Sequence, residues 1–178
     1  MGLMLSALGP TLPALARNTH TTLSDFSLIF VARGVGSIIG SILGGRLLDR
    51  IPANRVVVAS VLGSLLLTAA VPLVDSLWAL VGIIFIIGLG TGMLTVSGNA
   101  LLIWLHGDAV PPFMNMLHFS YGVGTSITPL IIAQTLPLQD GLVWSYGLLA
   151  LLALPAALFP LFLRSPRPLQ PEVNAAPR

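Results

Sequence analysis

Residues 26–55 read FSLIFVARGVGSIIGSILGGRLLDRIPANR. From Phe26 to Leu47 the only charges are Arg33 and Arg46. Such a run, at ~1.5 Å rise per residue, is long enough to cross the ~30 Å hydrocarbon core of a bilayer. Asp49-Arg50-Ile51-Pro52 closes it with charges and a helix-breaking proline. Inside the run Gly36, Gly40 and Gly44 recur at every fourth position, with Ser37 and Ser41 beside them. Small residues on one helical face let two backbones approach closely, which drives association where no water is available to be expelled. We expect this face to pack against, or rock on, a neighbouring helix. Arg33 lies on the same face, about two turns inside the helix. That placement suggests a structural or gating residue pointing into a bundle rather than one snorkelling to the interface.

Working outward, the same reading divides the rest of the chain. Apolar runs cover Leu3–Ala16, Phe26–Leu47, Val56–Val74, Leu77–Leu105, Phe113–Leu136 and Leu142–Leu163, separated by short charged or turn-rich breaks. The first is short for a span and is interrupted by Gly9-Pro10 and Pro13. It lacks the basic start of a cleaved signal, so it reads as a first helix trimmed at its beginning. Val57, on the third run, is expected to face lipid. The expected organisation is a six-helix bundle over 1–163, followed by a Pro-rich tail, or the start of a central loop, over 164–178.

Composition leads to the same class. Only 8% of residues are charged and 55% are hydrophobic, against roughly a quarter charged in a soluble domain. A lipid bilayer is therefore the implied surrounding. Cysteine is absent, which excludes disulfides, thiolate metal sites and a cysteine nucleophile. A net charge of +2 is too small to imply a nucleic-acid partner.

Arginine placement tests the span map. With a cytoplasmic start, the inner side carries Arg46, Arg50, Arg55, Arg164, Arg167 and Arg178, and the outer side Arg17 alone. This is the asymmetry of the positive-inside rule. It places both termini in the cytoplasm and the chain in a cell (inner or plasma) membrane.

The break after the second run reads Gly45-Arg46-Leu47-Leu48-Asp49-Arg50-Ile51-Pro52-Ala53-Asn54-Arg55. It resembles the signature between helices two and three of the major facilitator superfamily, matched at Gly45, Leu47, Asp49, Arg50 and Arg55. Pro52 stands where that family usually has glycine. The resemblance implies an all-α membrane protein, with six transmembrane helices forming one half of a major facilitator fold built as a 3+3 inverted repeat. It also implies that Gly45, Asp49, Arg50 and Arg55 form a gating motif whose aspartate meets a helix end of the opposite half. Further along, Asn99 and the series His118, Phe119, Tyr121, Gly122 and Gly124 are similar to elements of the fucose-permease and sodium-dependent glucose-transporter branch. That branch has an acid four residues before the asparagine, where this chain has Thr95, so ion coupling through that acid is not implied here.

Polar residues inside spans are costly and mark function or interhelical bonding. Thr91, Thr95 and Asn99 form one stripe at helical spacing, and Asn115, His118, Gly122, Thr125 and Pro129 form another. We expect Thr95, Asn99, Asn115 and His118 to offer neutral hydrogen-bonding groups to a small solute such as a sugar or other polyol. An intramembrane protease would pair Ser97 with His118, but the serine lacks its usual Gly-x-Ser-Gly setting. One histidine within a span cannot form a metal site. No enzyme and no cofactor is read from the chain. One six-helix unit walls only one side of a transport pathway, so the implied partners are the solute and either a second transporter half or another copy in a homodimer. The competing reading is a truncated fragment or structural membrane protein without transport activity of its own.

Overall fold

In the computed structural model, which describes residues 2–22 and 24–162, every regular element is helical. The expected tail over 164–178 lies outside the described residues. Helices α1 (Gly2–Leu5) and α2 (Leu8–Asn18) form a broken first crossing. Then follow α3 (Ser27–Leu48), α4 (Ala53–Ala70), α5 (Leu77–His106), α6 (Val110–Thr135) and α7 (Gly141–Leu158). Among the described residues four stretches are long and apolar enough to cross a membrane: Ser27–Leu48, Ala53–Leu73, Leu77–Thr135 and Gly141–Leu158. The third contains α5 and α6, folded back on each other at Gly107, where φ is +49° and glycine is suited to the turn.

The break in the first crossing follows from Pro10. A proline cannot donate to the carbonyl four residues earlier, and its ring pushes that carbonyl away. The affected group is Ser6, and α1 accordingly stops at Leu5. At the end of α1 the Leu5 carbonyl accepts a hydrogen bond from Arg33 Nη1 at 3.1 Å. Arg33 thus points into the bundle and ties the end of α1 to α3. At the start of α3, the Thr22 hydroxyl and backbone N–H both donate to Asp25 Oδ2, at 2.7 and 3.1 Å. These bonds, the hydroxyl's first, hold the Asp25 carboxyl below its ordinary range.

The most extensive helix pair is α3 with α5. Gly36, Gly40 and Gly44 of α3 are buried against Phe85, Leu89 and Met93, and Gly88 and Gly92 of α5 against the backbones of Arg33, Ser37 and Ser41. A Cβ at Gly36, Gly40, Gly88 or Gly92 would collide with a facing carbonyl oxygen. The same device recurs between α1 and α6, where Gly2 lies on the Tyr121 carbonyl and Gly124 on the backbone of Gly2 and Leu3. Thr128 Oγ1 lies 3.0 Å from the Leu3 carbonyl and 2.9 Å from that of Gly124, sharing its proton between them. Helix α4 packs on α5 and on α7, and the latter pair meets at the centre through Leu65, Ala153 and Ala157. Exchanging the first three crossings with the last three maps α3–α5 onto α6–α1 and α4–α7 onto itself, the symmetry of an inverted repeat.

The apolar core lies toward one end, where Leu15, Phe26, Ile29, Leu80, Ile132 and Leu149 are fully buried. At that end Asn18 Nδ2 donates to the Val74 carbonyl at 2.8 Å. Arg17, Pro72 and Asp140 line one hollow there. The breaks after the first, third and fifth crossings therefore share an end, as alternate crossing demands. Val57 corrects an expectation. Its 8% exposure puts it inside the bundle because α4 lies between α5 and α7.

The glycine contacts predict a sharp contrast. Gly40→Val should lower stability by about 1–3 kcal/mol through overpacking. Gly34→Ala, at a site with nothing within 4 Å, should raise it by roughly 0.5 kcal/mol. Thermal unfolding of the purified variants in detergent measures both.

Candidate functional site

A cavity of about 530 Å³ opens between helices α5 and α6, beside α1. Its walls are Thr91, Leu94, Thr95, Gly98 and Asn99 from α5, Leu117, His118, Ser120 and Tyr121 from α6, and Gly2 and Leu5 from α1. This volume falls in the range of roughly 300–1,000 Å³ that suits a small organic ligand. Glycine at positions 2 and 98 keeps the walls low.

The polar groups differ in what they can offer. Thr91 Oγ1 donates to the Ile87 carbonyl at 2.7 Å, and Thr95 Oγ1 to the Thr91 carbonyl at 2.9 Å. Their protons are spent inside α5, leaving only oxygen lone pairs for a visitor. Ser120 Oγ is likewise spent on the Met116 carbonyl at 2.8 Å. Among the described residues no hydrogen bond engages the side chains of Asn99 and His118. Asn99 brings two donors and one acceptor oxygen, and a neutral imidazole one donor and one acceptor. Among the described residues no acid lines these walls: Asp25, Asp49, Asp75, Asp108 and Asp140 all lie in the breaks between helices. The cavity is an uncharged hydrogen-bonding surface in an apolar frame.

The structure brings Thr95, Asn99 and His118 to this cavity and leaves Asn115 off it, exposed. At about 100° per residue, the arc of Leu117, His118, Ser120 and Tyr121 centres roughly 140° around the helix from Asn115. Tyr121 and Ser120 were not singled out as site residues from sequence. Their spacing from Leu117, at i+3 and i+4, is the signal that marks the face. Ser97 is fully buried and donates to the Met93 carbonyl at 2.7 Å, so its hydroxyl is not presented to a substrate. Gly45, Asp49, Arg50 and Arg55 lie around the α3–α4 turn, with Asp49, Arg50 and Arg55 exposed. Arg55 also stands on the wall of an apolar groove of about 430 Å³ between α4 and α5.

The chain is thus an all-helical membrane bundle with a broken first helix, internally paired halves and a polar cavity. The family model described as Major Facilitator Superfamily matches residues 1–178, and the chain belongs to that superfamily. It is 38% identical over 135 residues to sodium-dependent glucose transporter 1 of Rattus norvegicus, covering 74% of this chain and 27% of that protein. To the protein of the same name in Danio rerio it is 34% identical over 131 residues, 74% of this chain and 22% of the other. Major facilitator superfamily domain-containing protein 4A of Mus musculus is 31% identical over 132 residues, 73% of this chain and 26% of the other. The chain thus matches about a quarter of the length of these relatives. No solved structure matches it.

Cysteines introduced at Asn99 and His118 in this cysteine-free chain should react with a small membrane-impermeant thiol reagent. A cysteine at Leu66, 73% exposed on the outer face of α4, should stay protected by lipid in the same liposomes. Mass spectrometry of the labelled protein reads the difference.

Proposed function

We propose that this chain is the N-terminal half of a secondary transporter that carries a small neutral polyol, a sugar or a close relative, by alternating access. The observation that carries this reading is the pair Asn99 and His118, two side chains with open hydrogen-bonding capacity on one cavity and, among the described residues, with no carboxylate on its walls. Polar groups left without partners at membrane depth are costly. A solute rich in hydroxyls supplies both donors and acceptors to them. The names of the rat and zebrafish relatives favour a sugar.

Transport by this mechanism needs two bundles moving about a site between them. The cavity residues Thr95, His118 and Ser120 are exposed in the isolated bundle, at a depth where lipid offers no hydrogen bonds. A second six-helix half, or a second copy, covers them. Asp49, with Gly45, Arg50 and Arg55 around it, acts as the cytoplasmic latch by meeting a helix N-terminus of that other half. Both termini are cytoplasmic in this arrangement, supported by the arginine asymmetry.

The test is reconstitution in liposomes with cross-linking to count subunits and radiolabelled sugar flux measured alongside. Flux is expected from a dimer or from the chain joined by a second half, and robust flux from a chain shown to remain monomeric would refute the proposal. In the active assembly Asn99→Ala and His118→Ala should each raise KM about 2- to 10-fold, the equivalent of losing ~0.5–1.5 kcal/mol of hydrogen bonding. Unchanged KM in both would remove these residues from the site. Reporter fusions test the orientation separately: Asp75 and Asp140 should read as external and Asn54 as internal.

A further inference from the structure

A second, smaller cavity lies deeper in the bundle, and its chemistry differs from that of the solute cavity. It encloses about 90 Å³ between Met4 and Leu5 of α1, Arg33 of α3, Val61 and Ser64 of α4, Leu94 of α5 and neighbouring apolar side chains of α5 and α7. Two groups in it are unsatisfied. Ser64 is 6% exposed, and its Oγ is the buried polar side-chain atom without a hydrogen-bond partner among the described residues. Arg33 spends one of its five N–H groups on the Leu5 carbonyl, and among the described residues it makes no other hydrogen bond.

The counter-charge of Arg33 is also missing from the spans. Every acid of the chain lies in a break between helices or in the tail sequence. A guanidinium held inside a bundle needs an opposite charge, because desolvating it without one costs several kcal/mol. Both unsatisfied groups can donate, and the remaining hydroxyl on the wall, Thr91, has already given its proton to Ile87. Around a fixed cation, two groups with free donor hydrogens favour an anion over sodium or a proton. A cavity of about 90 Å³ has room for a small monovalent anion with a water or two.

We infer that Arg33 and Ser64 form a binding site for a small monovalent inorganic anion of halide size. It is a site separate from the solute cavity but adjoining it, since Leu5, Thr91 and Leu94 line both. The anion is the missing counter-charge of Arg33, and through the Arg33–Leu5 bond it steadies the break of the first crossing at the wall of the solute cavity. This inference does not rest on the identity of the transported solute.

Chloride is the probe. The purified full chain in detergent is unfolded thermally in chloride and in gluconate at the same ionic strength, and ³⁶Cl⁻ binding is measured directly by equilibrium dialysis. Chloride should raise Tm with a saturable dependence, bromide and nitrate should replace it, and gluconate should not, since ligand that binds only the folded state stabilises it by mass action. Arg33→Gln, which keeps a donor for Leu5 but loses the charge, should abolish the chloride effect and the bound ³⁶Cl⁻. Ser64→Ala should weaken binding by about tenfold, while Asn99→Ala should leave it unchanged. Equal Tm in chloride and gluconate, with no bound ³⁶Cl⁻, would overturn the site and leave a hydrated pocket. A chloride effect that persists in Arg33→Gln would also overturn it, as a salt effect on the surface arginines. Should Arg33→Gln not fold, Ser64→Ala decides: binding as tight as in the parent chain overturns the site, and weakened binding supports it.

Discussion

Two helices in lipid gain nothing by hiding leucines from one another, because acyl tails serve the same side chains as well. What remains is van der Waals contact between surfaces that fit, and hydrogen bonds that lipid cannot supply. The approach of the α3 and α5 backbones is this constraint expressed in residues. With glycine at 36, 40 and 44 on one helix and at 88 and 92 on the other, carbonyl oxygens of each helix rest where side chains would otherwise stand. The close pair fixes the direction of α5, and the direction of α5 decides where Thr95 and Asn99 end. The polar cavity is thus a downstream consequence of a glycine stripe that never touches it.

The second half of the bundle solves the same problem with fewer glycines. Gly2 and Gly124 bring α1 onto α6, and Thr128 adds a shared hydroxyl proton between the two backbones. On the axis relating the halves, α4 and α7 meet through alanines and a leucine. Hydroxyl bonds add to this framework, as between Thr11 Oγ1 and Tyr146 Oη at 2.8 Å and between Thr135 and Ser145 at 2.6 Å. The bundle is tight at the end that holds these bonds and loose where α5 and α6 part. A cavity opening between α5 and α6, rather than along a close-packed seam, follows from that gradient.

Much of this was legible in the sequence because lipid simplifies the pattern. The runs starting at Phe26 and Leu77 lie within a residue or so of α3 and α5, since their limits are set by charge and proline. Arg33 was placed inward from its shared face with Gly40 and Gly44, and its bond to Leu5 agrees. Periodicity was a weaker guide to the cavity. Thr95 and Asn99 share one stripe and one wall, but Asn115 does not follow His118, because a stripe fixes a helical face without fixing what that face meets. The inward position of Val57 was hidden for a related reason: a helix packed on two sides is apolar all round, so its sequence carries no sign of which side faces lipid. The break at Leu5 is displaced from the proline that causes it, since proline acts on the carbonyl four residues earlier.

The four residues of α1 are far too few to hold helical shape by themselves. They are helical here because α6 lies against them, with Gly2 on the Tyr121 carbonyl and Leu3 beside Thr128, bond partners 125 positions apart in the chain. At about 5–20 residues per second of synthesis, the α6 docking site emerges roughly 6–25 seconds after α1. During that interval the beginning of the first crossing has no docking surface. Its docking is therefore completed late, when the fifth crossing arrives, although α1 itself is made well before α6.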